Sequence, residues 1–115
     1  MEGARPEITG HSSSFRTIEY RIGPEDLDEF TRLIHELGRI RMRDGAVRWG
    51  VFQDTANAER LVETFVTDSW LDFLRARERM TAEDRIVRDQ IRRLHQGPAD
   101  PQVSRMIYVS ERDRV

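Results

Sequence analysis

The chain has 115 residues, of which 19 are Arg and 21 are Asp or Glu, with neither Lys nor Cys and a net charge of only -2. This length predicts a single domain with one modest core, and the lack of cysteine excludes a disulfide framework, a thiolate metal site and a cysteine nucleophile. The longest apolar run, at 106–109, is far shorter than the roughly 20 residues that cross a bilayer. Because residues 1–6 lack the apolar stretch of a secretory signal, we expect a cytoplasmic protein without membrane insertion.

The arginines alternate with acidic residues along the chain. Asp28 and Arg32 lie four residues apart, as do Asp84 and Arg88, which is the spacing of ion pairs on a helix surface. A nucleic-acid-binding surface requires a basic stripe and a pI well above neutral, whereas the pI of this sequence is about 5.9. We therefore expect no nucleic-acid partner.

Regular structure is expected to begin near Phe15. Residues 1–13 combine glycine, proline and serine without periodicity, which predicts a disordered leader. From 15 to 22, polar and apolar residues alternate, as in a half-buried strand that places Ile18, Tyr20 and Ile22 on one face. A helix should follow from Pro24, a residue suited to the first helical turn, and end at 44–45. Its apolar residues at helical spacing are Leu27, Phe30, Leu33, Ile34, Leu37 and Ile40.

The remaining pattern predicts three more strands and two more helices. Thr81 with Asp84 resembles a capping box at the start of the third helix. The predicted strands are 46–53, 60–67 and 103–110, and the helices run from 67–69 to Arg79 and from 81 to before Gly97. This order is typical of a ferredoxin-like α+β domain over 14–110, with a four-stranded antiparallel sheet, helices on one face and a frayed tail at 111–115.

The predicted strands carry apolar residues on both faces. We expect Ile18, Tyr20 and Val51 to lie on one face of the sheet. Phe15, Phe52 and Phe65 are expected on the other. An antiparallel sheet with helices on one side leaves its second face bare, and a second copy of the chain is the simplest cover. The sequence therefore predicts a homodimer that forms a dimeric α/β barrel. The alternative is a monomer with one solvated sheet face.

Three segments carry a family resemblance. The runs 39–54, 62–65 and 69–81 resemble the cytoplasmic C-terminal domain of transmembrane secretion effector transporters of the major facilitator class, and the resemblance covers 15–109. It implies the dimeric α/β-barrel fold of the antibiotic biosynthesis monooxygenase superfamily, which includes cofactor-free oxygenases, haem-degrading enzymes and small cyclases or isomerases. Their ligands lie between the helices and the sheet. We expect this chain to act as a stand-alone domain, to which the transporters' export activity does not carry over.

The sequence departs from the family pattern at the positions that would carry chemistry. Phe73 and Arg77 stand where the transporter domains usually have histidines, Ala76 lies near a histidine of the oxygenases, and Phe65 replaces a tryptophan of several oxygenases. Without an imidazole there, the chain lacks the obvious proton shuttle or haem ligand. No histidine and carboxylate pair has metal-ligand spacing. We therefore expect neither a metal nor another cofactor.

Arg41 is the most informative charged residue. Its position in the helical repeat lies between Ile34 and Leu37 on the inward stripe, where an unpaired cation is costly. We expect Glu63 on the third strand to be its partner. The pair would be either a structural tie or the polar end of a ligand cleft, so Arg41 and Glu63 are our candidate catalytic residues.

A ligand cleft would also need apolar walls and orienting groups. Arg48 and Arg77 are candidate orienting groups, although Arg77 has the alternative of extending into solvent at the helix end. The candidate wall residues, which have the alternative of simple core packing, are Tyr20, Trp49, Trp70, Met106 and Tyr108.

Two classes of function remain open at this point. The first is a protein that binds a small organic molecule, as an accessory or tailoring protein of specialised metabolism with cofactor-free cyclisation, isomerisation or oxygenation as its chemistry. The alternative is a non-catalytic oligomerisation or regulatory module related to a transporter tail. An open cleft near Trp49 and Trp70 favours the first function, and a filled interface between helices and sheet favours the second.

Overall fold

The computed structural model describes residues 13–111, and the fold within them is a sheet with helices on one face. The leader predicted for 1–13 and the tail predicted for 111–115 lie outside the described residues, apart from Ser13 and Glu111. The strands are β1 (Ser14–Arg21), β2 (Ala46–Gln53), β3 (Arg60–Thr67) and β4 (Gln102–Ile107), and the helices are α1 (Leu27–Arg43), α2 (Trp70–Arg79) and α3 (Ala82–Leu94). The sheet order is β2-β3-β1-β4 with antiparallel pairing throughout, which confirms the predicted ferredoxin-like α+β fold.

One sheet face and the inner faces of the helices form the core. The alternation in β1 buries Ile18 and Tyr20, and the 3-10 turn Pro24–Asp26 leads into α1. The apolar stripe predicted for α1 is buried at Phe30, Leu33, Ile34, Leu37 and Ile40. Within residues 13–111, no helix is long and apolar enough to cross a membrane.

The last strand is shorter than its sequence pattern predicts. The apolar run favours a strand to Ser110, but β4 ends at Ile107. Ile107 pairs with Ser14, the first residue of β1, and the next amide, that of Tyr108, donates to the carbonyl of Ser13. The ladder therefore ends where its partner strand begins, because a strand needs a neighbour for its backbone groups.

The second face of the sheet is less apolar than predicted, although it still exposes large side chains. The prediction placed Phe65 on this face and was wrong, because Phe65 is paired with Arg16 in the register and is buried on the helix side. Phe15 is paired with Met106 on the open face. Phe52 and Met106 are 61% and 50% exposed. Apolar side chains therefore remain accessible on the face without helices.

The capping box predicted at the start of α3 is present. The Thr81 hydroxyl accepts a hydrogen bond from the Asp84 amide at 3.1 Å, and the Asp84 carboxylate accepts one from the Thr81 amide at 2.9 Å. The carboxylate also accepts a hydrogen bond from Arg43 at 2.6 Å. The pairing of Asp84 with Arg88 expected from the sequence is thus replaced by a bond to α1, because Asp84 is buried and faces that helix.

We expect Asp84→Asn to lower the free energy of unfolding at pH 7 by about 1 kcal/mol. The bonds from Arg43 and the Thr81 amide hold the pKa of the Asp84 carboxyl below its ordinary value. A depressed pKa contributes stability above the unfolded-state pKa of about 4 and loses it as the pH falls through the folded-state pKa. Urea unfolding should therefore show a difference between wild type and variant at pH 7 that shrinks below pH ~4.

The matched control is Asp89→Asn, which makes the same change at an exposed position of α3. It should change stability by less than about 0.5 kcal/mol. A difference for Asp84→Asn that persists unchanged in acid would show that the Asp84 charge is not its source.

Candidate functional site

A buried carboxylate lies at the centre of the interface between α1 and the sheet. Glu63 on β3 is fully buried. Arg41 Nε donates to its Oε2 at 2.9 Å and Nη2 to its Oε1 at 3.2 Å, Trp49 Nε1 donates to Oε2 at 2.9 Å, and the Tyr20 hydroxyl donates to Oε1 at 3.2 Å. The pair expected from the helical spacing is present. Four donated bonds satisfy both carboxylate oxygens.

This network keeps both Tyr20 and Arg41 protonated. Burial, followed by the negative charge of Glu63, raises the pKa of the Tyr20 hydroxyl far above its usual range. Burial alone would lower the pKa of Arg41, but the charge and hydrogen bonds of Glu63 outweigh it and raise that pKa. Tyr20 is therefore a fixed donor and Arg41 a permanent cation, and neither is suited to act as a base at neutral pH.

Arg41 connects the buried network to an open space. Its side chain is 11% exposed, and its guanidinium carbon lies 4.5 Å from the centre of the Phe65 ring. The hydrogen bonds that Arg41 donates to Glu63, together with the adjacent Phe65 ring, hold the guanidinium in one position. Glu63 thus orients a cation without itself lining the space.

That space is a cleft of about 290 Å³ between the sheet and the helices α2 and α3. Its apolar lining comes from Ile18 and Phe65 on the sheet, Phe73 and Met80 on or after α2, and Val103 on β4. A volume of this size is at the lower end of small-molecule sites. The fold therefore leaves room for a compact ligand on the helix side of the sheet.

The polar lining of the cleft is almost entirely cationic. Its arginines are Arg16, Arg41, Arg77, Arg85, Arg88, Arg92 and Arg105. Within the part of the chain that the structure describes, the one acidic side chain that lines it is Asp44, whose carboxylate already accepts two hydrogen bonds from Arg43. The low net charge of the chain hides this concentration of positive charge at one place.

Three of the candidate residues named from the sequence line the cleft, namely Tyr20, Arg41 and Arg77. Trp70 stacks on Phe73, which lines the cleft, with ring centres 5.0 Å apart.

Three candidates lie elsewhere. Arg48 is paired with Val66 in the register, so it projects from the open sheet face, as Met106 does, because alternate residues of a strand point to opposite faces. Tyr108 follows the end of β4 and is 69% exposed. The prediction that Arg48, Met106 and Tyr108 surround one cleft with Tyr20 is therefore wrong in its geometry.

The interface near Trp49 is filled. The Trp49 ring lies against Gly38 of α1, so closely that a Cβ at that position would be 2.6 Å from the ring. His35 of α1 is exposed and makes an edge contact with Trp49 at 5.2 Å between ring centres. The cleft therefore does not open between Trp49 and Trp70, and neither indole lines it.

The sequence interpretation missed Arg16 and Arg105, which pair across β1 and β4. Each guanidinium carbon lies 5.4 Å from the centre of the Phe73 ring. Burial, followed by the nearby charges of Arg41 and Arg105, lowers the pKa of Arg16 to about 10. The sequence could have indicated Arg16 as a site residue, because the alternation of β1 places this charged side chain on the same buried face as Ile18 and Tyr20.

The described part of the chain offers no metal centre. Among residues 13–111, no group of three or more His, Cys, Asp or Glu side chains is arranged to hold a metal ion.

The sheet order and helix placement define a class of ferredoxin-like α+β proteins, and solved structures share it. One from Caulobacter crescentus, named a candidate antibiotic biosynthesis monooxygenase, is 9% identical with a TM-score of 0.76, over 93% of this chain and 99% of that one. A candidate of the same name from Nitrosomonas europaea is 17% identical with a TM-score of 0.67, over 90% and 93%. A conserved protein from Methanosarcina mazei is 13% identical with a TM-score of 0.71, over 84% and 92%.

The sequence pattern of the transmembrane secretion effector family matches residues 13–114, and the chain belongs to this family. The resemblance expected from the sequence is thereby confirmed. Comparison with functionally curated proteins found no match. At these identities the structural likeness shows the fold alone.

Proposed function

We propose that this protein binds a small organic molecule in the cleft between the sheet and helices α2 and α3, as a cytoplasmic accessory or tailoring protein of specialised metabolism. The observation that carries the proposal is the cleft of about 290 Å³, whose lining combines apolar side chains with arginines and has Arg41 at its base. Small-molecule sites are concave and combine apolar walls with polar groups that orient the ligand.

The side chains at the cleft are suited to binding and charge stabilisation. Among the described residues, its lining contains no histidine, and its one carboxylate, Asp44, is occupied by Arg43. Arg41 is preorganised by Glu63 and can stabilise negative charge that develops on a ligand oxygen. A cofactor-free cyclisation, isomerisation or oxygenation is the reaction class that fits, with Arg41 in contact with the ligand and Glu63 as its positioning residue.

A second candidate function, an oligomerisation or regulatory module, is favoured by the open sheet face. Phe52 and Met106 expose apolar surface there, and Phe15, Val62 and Val66 lie on the same face. Such a patch is typical of an interaction site.

We propose that a second copy of the chain covers this open sheet face. The ligand-binding form is then a homodimer with one cleft on the outer side of each sheet.

Native mass spectrometry of the protein purified from its own host tests both proposals. We expect a mass of two 13.6 kDa chains together with a retained small molecule. Phe52→Asp should give a monomer because it places a charge in the covered patch. A dimer that retains nothing, from cells that produce the natural ligand, would contradict ligand binding and favour the regulatory module. A monomeric wild type would contradict the homodimer.

The matched control for the interface is Leu71→Asp. Leu71 is an exposed apolar residue of α2, away from the open sheet face. This variant should remain dimeric, and a monomeric L71D protein would show that charge at any exposed apolar site disrupts the assembly.

A further inference from the structure

We propose that the ligand of this cleft is an organic acid, with a flat apolar body and one anionic group that is bound by Arg16 and Arg105. The inference rests on the proposed function, which requires only that the cleft bind a small molecule, and adds the chemical class of that molecule. Nothing in the family match assigns it.

The first support is the excess of positive charge at the cleft. Glu63 is occupied by Arg41, and Asp44 is occupied by Arg43. Within the described residues, Arg16 and Arg105 form no ion pair with any carboxylate, and the same is true of Arg77 and Arg85 at the same cleft. The other two pairs at the lining, Arg88 with Asp89 at 3.9 Å and Arg92 with Asp100 at 4.0 Å, are long and exposed. Protein carboxylates therefore leave several cations of the cleft unbalanced.

The second support is an unsatisfied donor at the same place. The Nε atom of Arg16 is buried and has no hydrogen-bond partner within residues 13–111. The Nε atom of Arg88, which lines the same cleft, also lacks a hydrogen bond there, but it lies 3.9 Å from Asp89 Oδ1. Buried polar atoms are nearly always hydrogen-bonded, so an exception requires an explanation. An acceptor supplied by a bound ligand would satisfy the Nε atom of Arg16, which has no carboxylate partner of its own within the described residues.

The third support is the pairing of two like charges across neighbouring strands. Arg16 and Arg105 are register partners on the helix side of β1 and β4, and like charges in directly opposed positions destabilise a sheet. The Phe73 ring, 5.4 Å from each guanidinium carbon, offsets part of the repulsion through cation–π attraction. An anion between the two guanidinium groups would remove the remainder, since arginine is the residue best suited to carboxylate and phosphate.

The apolar lining defines the rest of the ligand. Phe65 and Phe73 place aromatic surface beside the arginines, and Ile18 and Val103 line the sheet side. A planar ring system would stack on such surfaces while its acidic group reaches Arg16 and Arg105. The cleft therefore combines the two requirements of an aromatic or similarly flat acid.

The test compares 2-naphthoate with the neutral, nearly isosteric 2-naphthamide by isothermal titration calorimetry on the full chain. We expect naphthoate to bind at least about tenfold more tightly, the effect of a charge-assisted bond. Arg16→Gln should reduce naphthoate affinity about tenfold while leaving naphthamide affinity unchanged. Arg39→Gln, the same substitution at an exposed position of α1, should change neither affinity.

The outcomes separate this inference from the proposed function. Equal affinities for the acid and the amide would overturn the inference and leave small-molecule binding in place. Binding of neither compound would overturn the inference that a flat aromatic acid fits the cleft, and a small molecule retained in native mass spectrometry would still support the proposed function. If Arg16→Gln did not fold, Arg105→Gln on the exposed strand β4 would replace it with the same expected result, and wild-type affinity for naphthoate in either folded variant would exclude that residue as the anion site.

Discussion

Replacement of Glu63 by Gln is expected to lower the free energy of unfolding by about 3 to 5 kcal/mol. The carboxylate is fully buried and accepts bonds from Arg41, Trp49 and Tyr20. The amide that replaces it carries no charge and presents two donors where these side chains also donate. Arg41 would then be a nearly buried cation without a counter-ion, the costliest way to disrupt a buried pair.

Urea unfolding followed by circular dichroism measures this loss, and Glu19→Gln is the matched control. Glu19 lies on the neighbouring strand β1 and pairs with the Arg60 side chain, but it is 35% exposed and points away from the core. Loss of a surface pair should cost less than about 1 kcal/mol. Similar losses of stability for the two variants would show that the buried Glu63 network contributes no more to folding than a surface ion pair.

Gly38→Ala is expected to destabilise the fold by about 2 kcal/mol, although alanine is the better helix former. The added Cβ would lie 2.6 Å from the Trp49 ring, a distance that requires the ring to move. Trp49 cannot move freely because its Nε1 donates to Glu63 at 2.9 Å. The substitution should therefore strain the packing and weaken the buried network together.

A double-mutant cycle with Trp49→Leu tests the cause. In the leucine background the ring is absent, so Gly38→Ala should stabilise the protein by up to about 1 kcal/mol through helix propensity. In chemical denaturation, Gly38→Ala should therefore lower the free energy of unfolding in the wild-type background and raise it in the Trp49→Leu background. An equal loss of stability in both backgrounds would show that Gly38→Ala acts on α1 itself and not through the Trp49 ring.

Much of the fold follows from local sequence signals. The alternation in β1, the stripe from Leu27 to Ile40 and the capping box of Thr81 with Asp84 each agree with the structure. The bond between Arg41 and Glu63 could also be predicted, because a cation on a buried helix face requires a partner. These features follow from the periodicity of apolar residues, which a single sequence shows, and from the general cost of burying an unpaired charge.

The faces of the strands and the position of the cleft could not be predicted in the same way. A bulge between Ala46 and Arg48 interrupts the alternation of β2, and it leaves Val47 45% exposed while Trp49 packs inward. Whether Trp49 fills the interface depends on Gly38, eleven residues earlier in the chain, which brings helix and ring together. Such matches between distant residues arise only in three dimensions.

The separate surroundings of the two tryptophans give the protein two optical signals. Trp49 lies between α1 and the sheet, bonded to Glu63, so its emission follows the integrity of the core. Trp70 stacks on Phe73, the ring that forms a wall of the cleft, so its emission is sensitive to what occupies that space. Trp70→Phe would therefore leave Trp49 as the single tryptophan, which reports on unfolding, and Trp49→Phe would leave Trp70, which reports on occupancy of the cleft.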